Sequence, residues 1–156
     1  MANLKIIKYP NSILTKKAQK VKDPLDPKLQ RLISRMTETL KSTPEGKALA
    51  APQVRESVRL CIVQEEDKTL VFINPQITSM SKEKITELEG CLSFPGTYLP
   101  IARSSKIKVR YLDEKGKKAK IKAEGFLARA LQHEIDHLDG ILIINRTKKH
   151  KKITHS

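Results

Sequence analysis

Near its C-terminal end the chain reads Gln132-His133-Glu134-Ile135-Asp136-His137. No other element constrains the fold as much. Two histidines four residues apart share a face only if the segment is helical. Leu127, Ala130, Leu131, Ile135 and Leu138 supply the apolar spacing that such a helix needs. Gly125 punctuates the segment before it and Asp139-Gly140 the segment after it. On that helix His133 and His137 aim their ring nitrogens at one point, with the Glu134 carboxylate beside them. Two imidazoles and an adjacent base are the parts of a metal-dependent hydrolase.

A catalytic site of this kind needs a third protein ligand and an open position. His150 and His155 stand in a charged tail and are poor candidates. Cys61 belongs to the apolar run Leu60-Cys61-Ile62-Val63, where packing in a buried strand is the simpler reading. Cys91 lies in Glu89-Gly90-Cys91-Leu92-Ser93-Phe94-Pro95-Gly96, where glycine and proline indicate an irregular segment that can approach a metal closely. Physics alone leaves the third ligand open between Cys91 and a more distant carboxylate.

The rest of the chain reads as α+β. Asp26-Pro27 caps a helix whose Leu29, Leu32, Ile33, Met36 and Leu40 form one apolar face, and Ser42-Thr43-Pro44-Glu45-Gly46 ends it. Strand patterns follow at 58–64, 69–74, 106–111 and 120–123, with turns at 65–68 and 113–116. Residues 141–144, Ile-Leu-Ile-Ile, read as a terminal strand. The order helix, strands, helix argues against a parallel sheet. The expected architecture is mixed antiparallel β-sheets packed around the motif-bearing helix, with an N-terminal helix, in a single domain over 1–146 followed by a basic tail over 147–156.

The 156 residues carry 31 Lys+Arg against 17 Asp+Glu, a net charge of +14. Such a surface attracts polyanions, but aromatics make up only 4% and Trp is absent, which disfavours a base-stacking platform. No stretch is apolar and long enough to span a membrane, and the first residues are not a secretory signal. Two cysteines give no disulfide framework, and a reducing compartment suits them.

Three separated motifs resemble those of the peptide deformylase family, in the family's order: Gly46-Lys47-Ala48-Leu49-Ala50-Ala51-Pro52-Gln53, Glu89-Gly90-Cys91-Leu92-Ser93 and Gln132 to His137. Leu4 to Pro10 also resembles family starts, so the likeness covers about residues 3 to 146. The resemblance implies a hydrolase of protein biosynthesis that removes the formyl group from N-formylmethionyl nascent peptides, a co-translational N-terminal processing step. It implies Cys91, His133 and His137 as ligands of one divalent metal, Fe2+ in the cell with Zn2+, Ni2+ or Co2+ as replacements. Glu134 would be the proton carrier, with Gln53 and the Leu92 N–H as donors to the oxyanion. Gly46, Lys47, Ala48, Glu89, Gly90 and Arg129 would border the substrate. The implied location is the cytoplasm, or an organelle if a transit segment has been removed, with weak contact to ribosomal RNA through the basic surface and tail.

The chain departs from the family pattern at three places. Lys47 and Arg129 stand where apolar residues are usual, and Ala48 where glycine is usual. One reading makes the pocket receptive to an acidic side chain. The other has both stems lining the pocket with charged ends in water. On the His-Glu-x-x-His element alone a zinc peptidase is the enzyme rival, and an RNA-binding relative of deformylases is the non-enzyme rival.

Overall fold

The computed structural model describes residues 3–147. Of the tail expected over 147–156, residues 148–156, with His150 and His155, lie outside the described residues.

The first helix, α1 (Pro27–Lys41), starts where Asp26 accepts the Lys28 N–H at 2.9 Å and Pro27 takes a position needing no donor. Leu29, Ile33, Met36 and Leu40 are buried, as their spacing requires, and Leu32 is partly covered. Five strands then form an antiparallel sheet: β1 (Ala48–Ala50), β2 (Leu60–Glu65), β3 (Lys68–Met80), β6 (Lys106–Leu112) and β7 (Lys118–Glu124), in the order β1-β2-β3-β6-β7. The polar turns at Glu66-Asp67 and Asp113–Lys117 close its two hairpins.

Alternation along β2 sends Leu60 and Ile62 to one face and Cys61 and Val63 to the other. The first face packs with Val71 and Ile73 under α1, and the second with Phe72, Ile107 and Val109 under α2 (Gly125–Leu138). α2 therefore lies in the middle of the molecule, with all residues from Leu131 to Leu138 buried. It ends in a Schellman turn: Gly140, at φ 74, donates to His137 O at 3.1 Å, and Ile141 donates to Asp136 O at 2.8 Å. A Cβ on Gly140 would stand 2.6 Å from Thr15 O, so the position is closed to larger residues.

Two expectations are corrected. The segment around Cys91 is strand on either side of a two-residue turn, and the expected irregularity is confined to its bulge. It joins β4 (Lys84–Cys91) to β5 (Phe94–Ser104), a separate two-stranded sheet with a register shift between Gly90 and Cys91. Residues 141–144 are not a strand: Ile143–Arg146 form one helical turn, α3. Asn145 accepts the Leu142 N–H at 2.8 Å, and Arg146 is drawn to Asp136 at 2.8 Å, so side-chain partners outweigh the β-branched preference of the run. Leu142 and Ile143 are buried with Phe94, Leu99 and Ile101 in a third cluster. Thr147, the first residue assigned to the tail, is buried and donates to Pro100 O at 2.9 Å.

Candidate metal centre

Helix α2 presents His133 and His137 one turn apart, with ring centroids 5.0 Å from each other. The end of β4 brings Cys91 to them. The ligand atoms of Cys91, His133 and His137 all lie within 4.8 Å of one another, and Cys91 Sγ is 3.3 Å from His137 Nε2. The choice that composition and pattern left open is thus met by a sulfur from a different sheet, 42 residues before the first histidine in sequence.

These donors suit a divalent cation. A thiol and two imidazoles match zinc or a comparable transition metal, and a carboxylate stands beside them. The surrounding charge points the same way. Burial works against a charged His133, yet Glu134, Cys91 and Glu89 outweigh it and push its pKa well up. His137 moves the opposite way, lowered by burial and by His133.

Glu89 holds the site together from behind. Its Oε1 is 2.9 Å from His133 Nδ1, which fixes the ring so that Nε2 faces inward. Arg103 grips the same carboxylate with two N–H groups at 2.8 and 2.9 Å and reaches Asp136 at 2.6 Å. Arg146 donates to both oxygens of Asp136, at 2.8 Å to Oδ1 and 3.0 Å to the Oδ2 that Arg103 also holds. In β4 the apolar Ile85 and Leu88 are exposed while Glu89 is buried, the reverse of what a strand pattern suggests. Arg103 and Arg146 escaped the sequence reading, as did any role for Asp136. The available signal was a lone charge inside Pro100-Ile101-Ala102-Arg103-Ser104.

On the open side, Glu134 is almost completely buried and its Oε1 has no hydrogen-bond partner. Burial raises its pKa to about 7, with His133 opposing and Glu89 assisting the rise. Gln53, on the 3₁₀ turn Ala51–Val54, accepts the Ala50 N–H at Oε1 (2.9 Å). That bond sets the amide so that its Nε2 donates to Ser93 Oγ at 3.1 Å and lies 3.7 Å from Cys91 Sγ.

A cleft of about 680 Å3 opens over these groups. Gln53, Leu92, Cys91, His133 and Glu134 line it, and so do Lys47, Ala48, Glu89, Gly90 and Arg129. Gly46 does not: a Cβ there would meet Leu40 and Thr43 at 3.1 and 3.2 Å, so its glycine serves the turn after α1. The open side of Gly90 is taken by Tyr98, whose ring atom would be 2.6 Å from an added Cβ. Lys47 is exposed at the rim. Arg129 is not, contrary to the expectation of a charged end in water. Its guanidinium donates to Glu89 and to the carbonyls of Ile101 (3.1 Å) and Ile85 (2.5 Å), and its Nε is 3.4 Å from Glu87. The two carboxylates of the hairpin offset the charge that α2 presents, and the two carbonyls accept its remaining N–H groups.

The family model for polypeptide deformylase matches residues 3–153. The chain belongs to the polypeptide deformylase family. It is 47% identical over 149 residues to a peptide deformylase of Clostridium botulinum, covering 96% of this chain and 99% of that one. It is 45% identical over 143 residues to that of Dictyoglomus turgidum, covering 92% of each. Among solved structures, the peptide deformylase of Thermotoga maritima superposes with a TM-score of 0.90 at 38% identity, covering 95% of this chain and 99% of that one. The deformylase of Synechococcus elongatus, solved with actinonin, gives 0.91 at 36% identity, covering 97% and 82%. The antiparallel sheets and few helices of this chain thus have the peptide deformylase fold. Among its described residues no helix is long and apolar enough to cross a membrane.

Proposed function

We propose that the chain hydrolyses the N-terminal formyl amide of formylmethionyl peptides during their synthesis, releasing formate and a free amine, with Cys91, His133 and His137 holding one divalent metal ion. The observation that carries this reading is the meeting of the Cys91 thiol with two α2 imidazoles beside an unpartnered Glu134 oxygen. When bound, the ion supplies Lewis acidity that polarises the formyl carbonyl and makes water acidic near neutral pH.

The residues of the chain do the remainder. Glu134, its pKa raised by burial to about 7, takes the proton of the attacking water and returns it to the nitrogen as the C–N bond breaks. The Gln53 amide, locked by Ala50, and the Leu92 N–H donate to the carbonyl oxygen as it gains charge. Glu89 keeps the His133 tautomer and Arg103 keeps Glu89 charged. Burial of the floor excludes bulk water, which strengthens each of these interactions.

Ferrous iron is the ion in the cell, and zinc, nickel and cobalt are replacements that the same donors accept. The site of action is the cytoplasm, where formylated chains emerge, and a net charge of +14 favours weak attraction to ribosomal RNA. Arg129 is held by Glu87 and Glu89, so a preference for acidic side chains is not expected from it.

Formate release from formyl-Met-Ala-Ser, with metal analysis of the same sample, tests the reading. Glu134→Ala is expected to abolish turnover and leave metal content unchanged. Cleavage of an internal peptide bond without formate release would overturn the assignment in favour of a peptidase.

A further inference from the structure

The five-stranded sheet has an area that α1 does not cover. Along β6, Lys106, Lys108 and Arg110 alternate with the inward Ile107 and Val109. Along β7, Lys118, Lys120 and Lys122 alternate with Ala119, Ile121 and Ala123. All six cations are exposed. The antiparallel register sets Lys108 opposite Lys122 and Arg110 opposite Lys120. Leu112, which follows Arg110 on the same side of β6, is opposite Ile73 and belongs to the cluster under α1. The cations therefore continue the α1 side of the sheet past the edge of that helix.

Like charges directly opposite one another weaken a strand pair, so this ladder carries a cost that dispersed lysines would avoid. Among the described residues no carboxylate pairs with the cations at its centre. Among the described residues, Lys106 alone of the six has a carboxylate partner, Glu124 at 3.9 Å, at one end of the ladder. Arg110 gives two N–H groups to the neutral Gln76 Oε1 at 3.0 and 2.7 Å, which aims the guanidinium without neutralising it. Lys108, Arg110, Lys120, Lys122 and Thr78 border a depression of about 460 Å3 that shares no residue with the metal-side cleft.

We propose that this face binds the phosphate backbone of double-helical RNA without reading its sequence. Charge complementarity requires a polyanion. Cross-strand neighbours about 5 Å apart and same-strand neighbours about 7 Å apart make two rows of positive points that can follow a run of phosphates. Single-stranded nucleic acid calls for aromatic platforms, and the one aromatic ring of these two strands, Tyr111, packs on Phe72 instead. Insertion into a lipid surface calls for large apolar side chains, and the ladder has none. Only the choice of RNA over DNA rests on the deformylase reading. The ladder itself is independent of it.

Binding of a 20-base-pair RNA duplex, followed by fluorescence anisotropy between 50 and 200 mM KCl, tests the proposal. Lys108→Gln/Lys120→Gln/Lys122→Gln is expected to weaken binding about tenfold or more at the low-salt end and to lower the slope of log affinity against log salt by about 3. Lys16→Gln/Lys17→Gln/Lys20→Gln removes the same charge from another surface and is expected to change affinity less than twofold. The ladder variant is expected to melt no lower than wild type, since opposed charges are relieved, and to keep formate release from a short formyl peptide. Equal losses in the two triple variants would overturn the proposal, as would unchanged affinity in the ladder variant. Binding to phosphatidylserine vesicles with no binding to the duplex would also overturn it. Loss of formate release in wild type would sink the proposed function and leave the duplex comparison intact.

Discussion

His133 Nδ1 lies 2.9 Å from Glu89 Oε1, so the carboxylate of one sheet sets the ring orientation of a histidine on the central helix. Glu89→Gln keeps the shape and removes the charge that holds the N–H in place. Metal affinity is expected to fall about 10- to 100-fold. Competition against a chelator of known affinity measures it. Unchanged affinity would mean that ring packing alone orients His133.

Glu89 also links stability to acid. Burial by itself would raise its pKa, but hydrogen bonds from Arg103 and His133 outweigh that and lower it from 4.5 to about 2. Between these values the unfolded chain binds a proton that the folded chain does not. The stability contributed is therefore complete above pH 4.5 and is lost as pH falls through 2, a change of a few kcal/mol at most. In metal-free protein the melting temperature should drop steeply across this window, and Glu89→Gln should flatten that drop. Parallel curves for the two proteins would contradict the linkage.

The two thiols should behave differently. Cys61 is fully buried, and burial, then the charge of Glu134, pushes its pKa well above the ordinary value. Cys91 is only partly buried at the cleft. A disulfide reagent at pH 8 is expected to modify Cys91 alone in metal-free native protein, and both thiols after denaturation. Rapid reaction of Cys61 in the native state would show that the sheet opens more readily than its packing implies.

Gly90→Ala would push a methyl group into Tyr98, whose ring already occupies that space at 2.6 Å. Tyr98 is 57% exposed and has solvent to move into, so the expected cost is about 1 kcal/mol, below that of overpacking a core, read from chemical denaturation. Tyr98→Ala in the same chain should recover most of it. Failure of that rescue would locate the strain in the β4 backbone beside Cys91.

What could be read from the residues was local or periodic. The apolar face of α1, the hairpins around Glu66 and Gly116, and the helix carrying His133 and His137 follow from spacing and turn chemistry. Motif resemblance supplied Cys91 as partner. The hairpin of β4 and β5 was hidden because its exposed apolar residues, Ile85 and Leu88, break the usual alternation, and because Pro95-Gly96 inside β5 reads as a chain break. Ile141 to Ile144 misled for the converse reason: a β-branched run was held in a helical turn by Asn145 and by an ion pair from Arg146 to Asp136. The sequence alone determined which side chains had the chemistry for a metal and a proton. Tertiary structure decided which of them meet, and that Arg129 is neutralised by Glu87 and Glu89 while Arg103 steadies the histidine through Glu89. Charge pairs depend on distance in space, and residues 14 to 44 apart in the chain become neighbours only when the sheets pack on the helix.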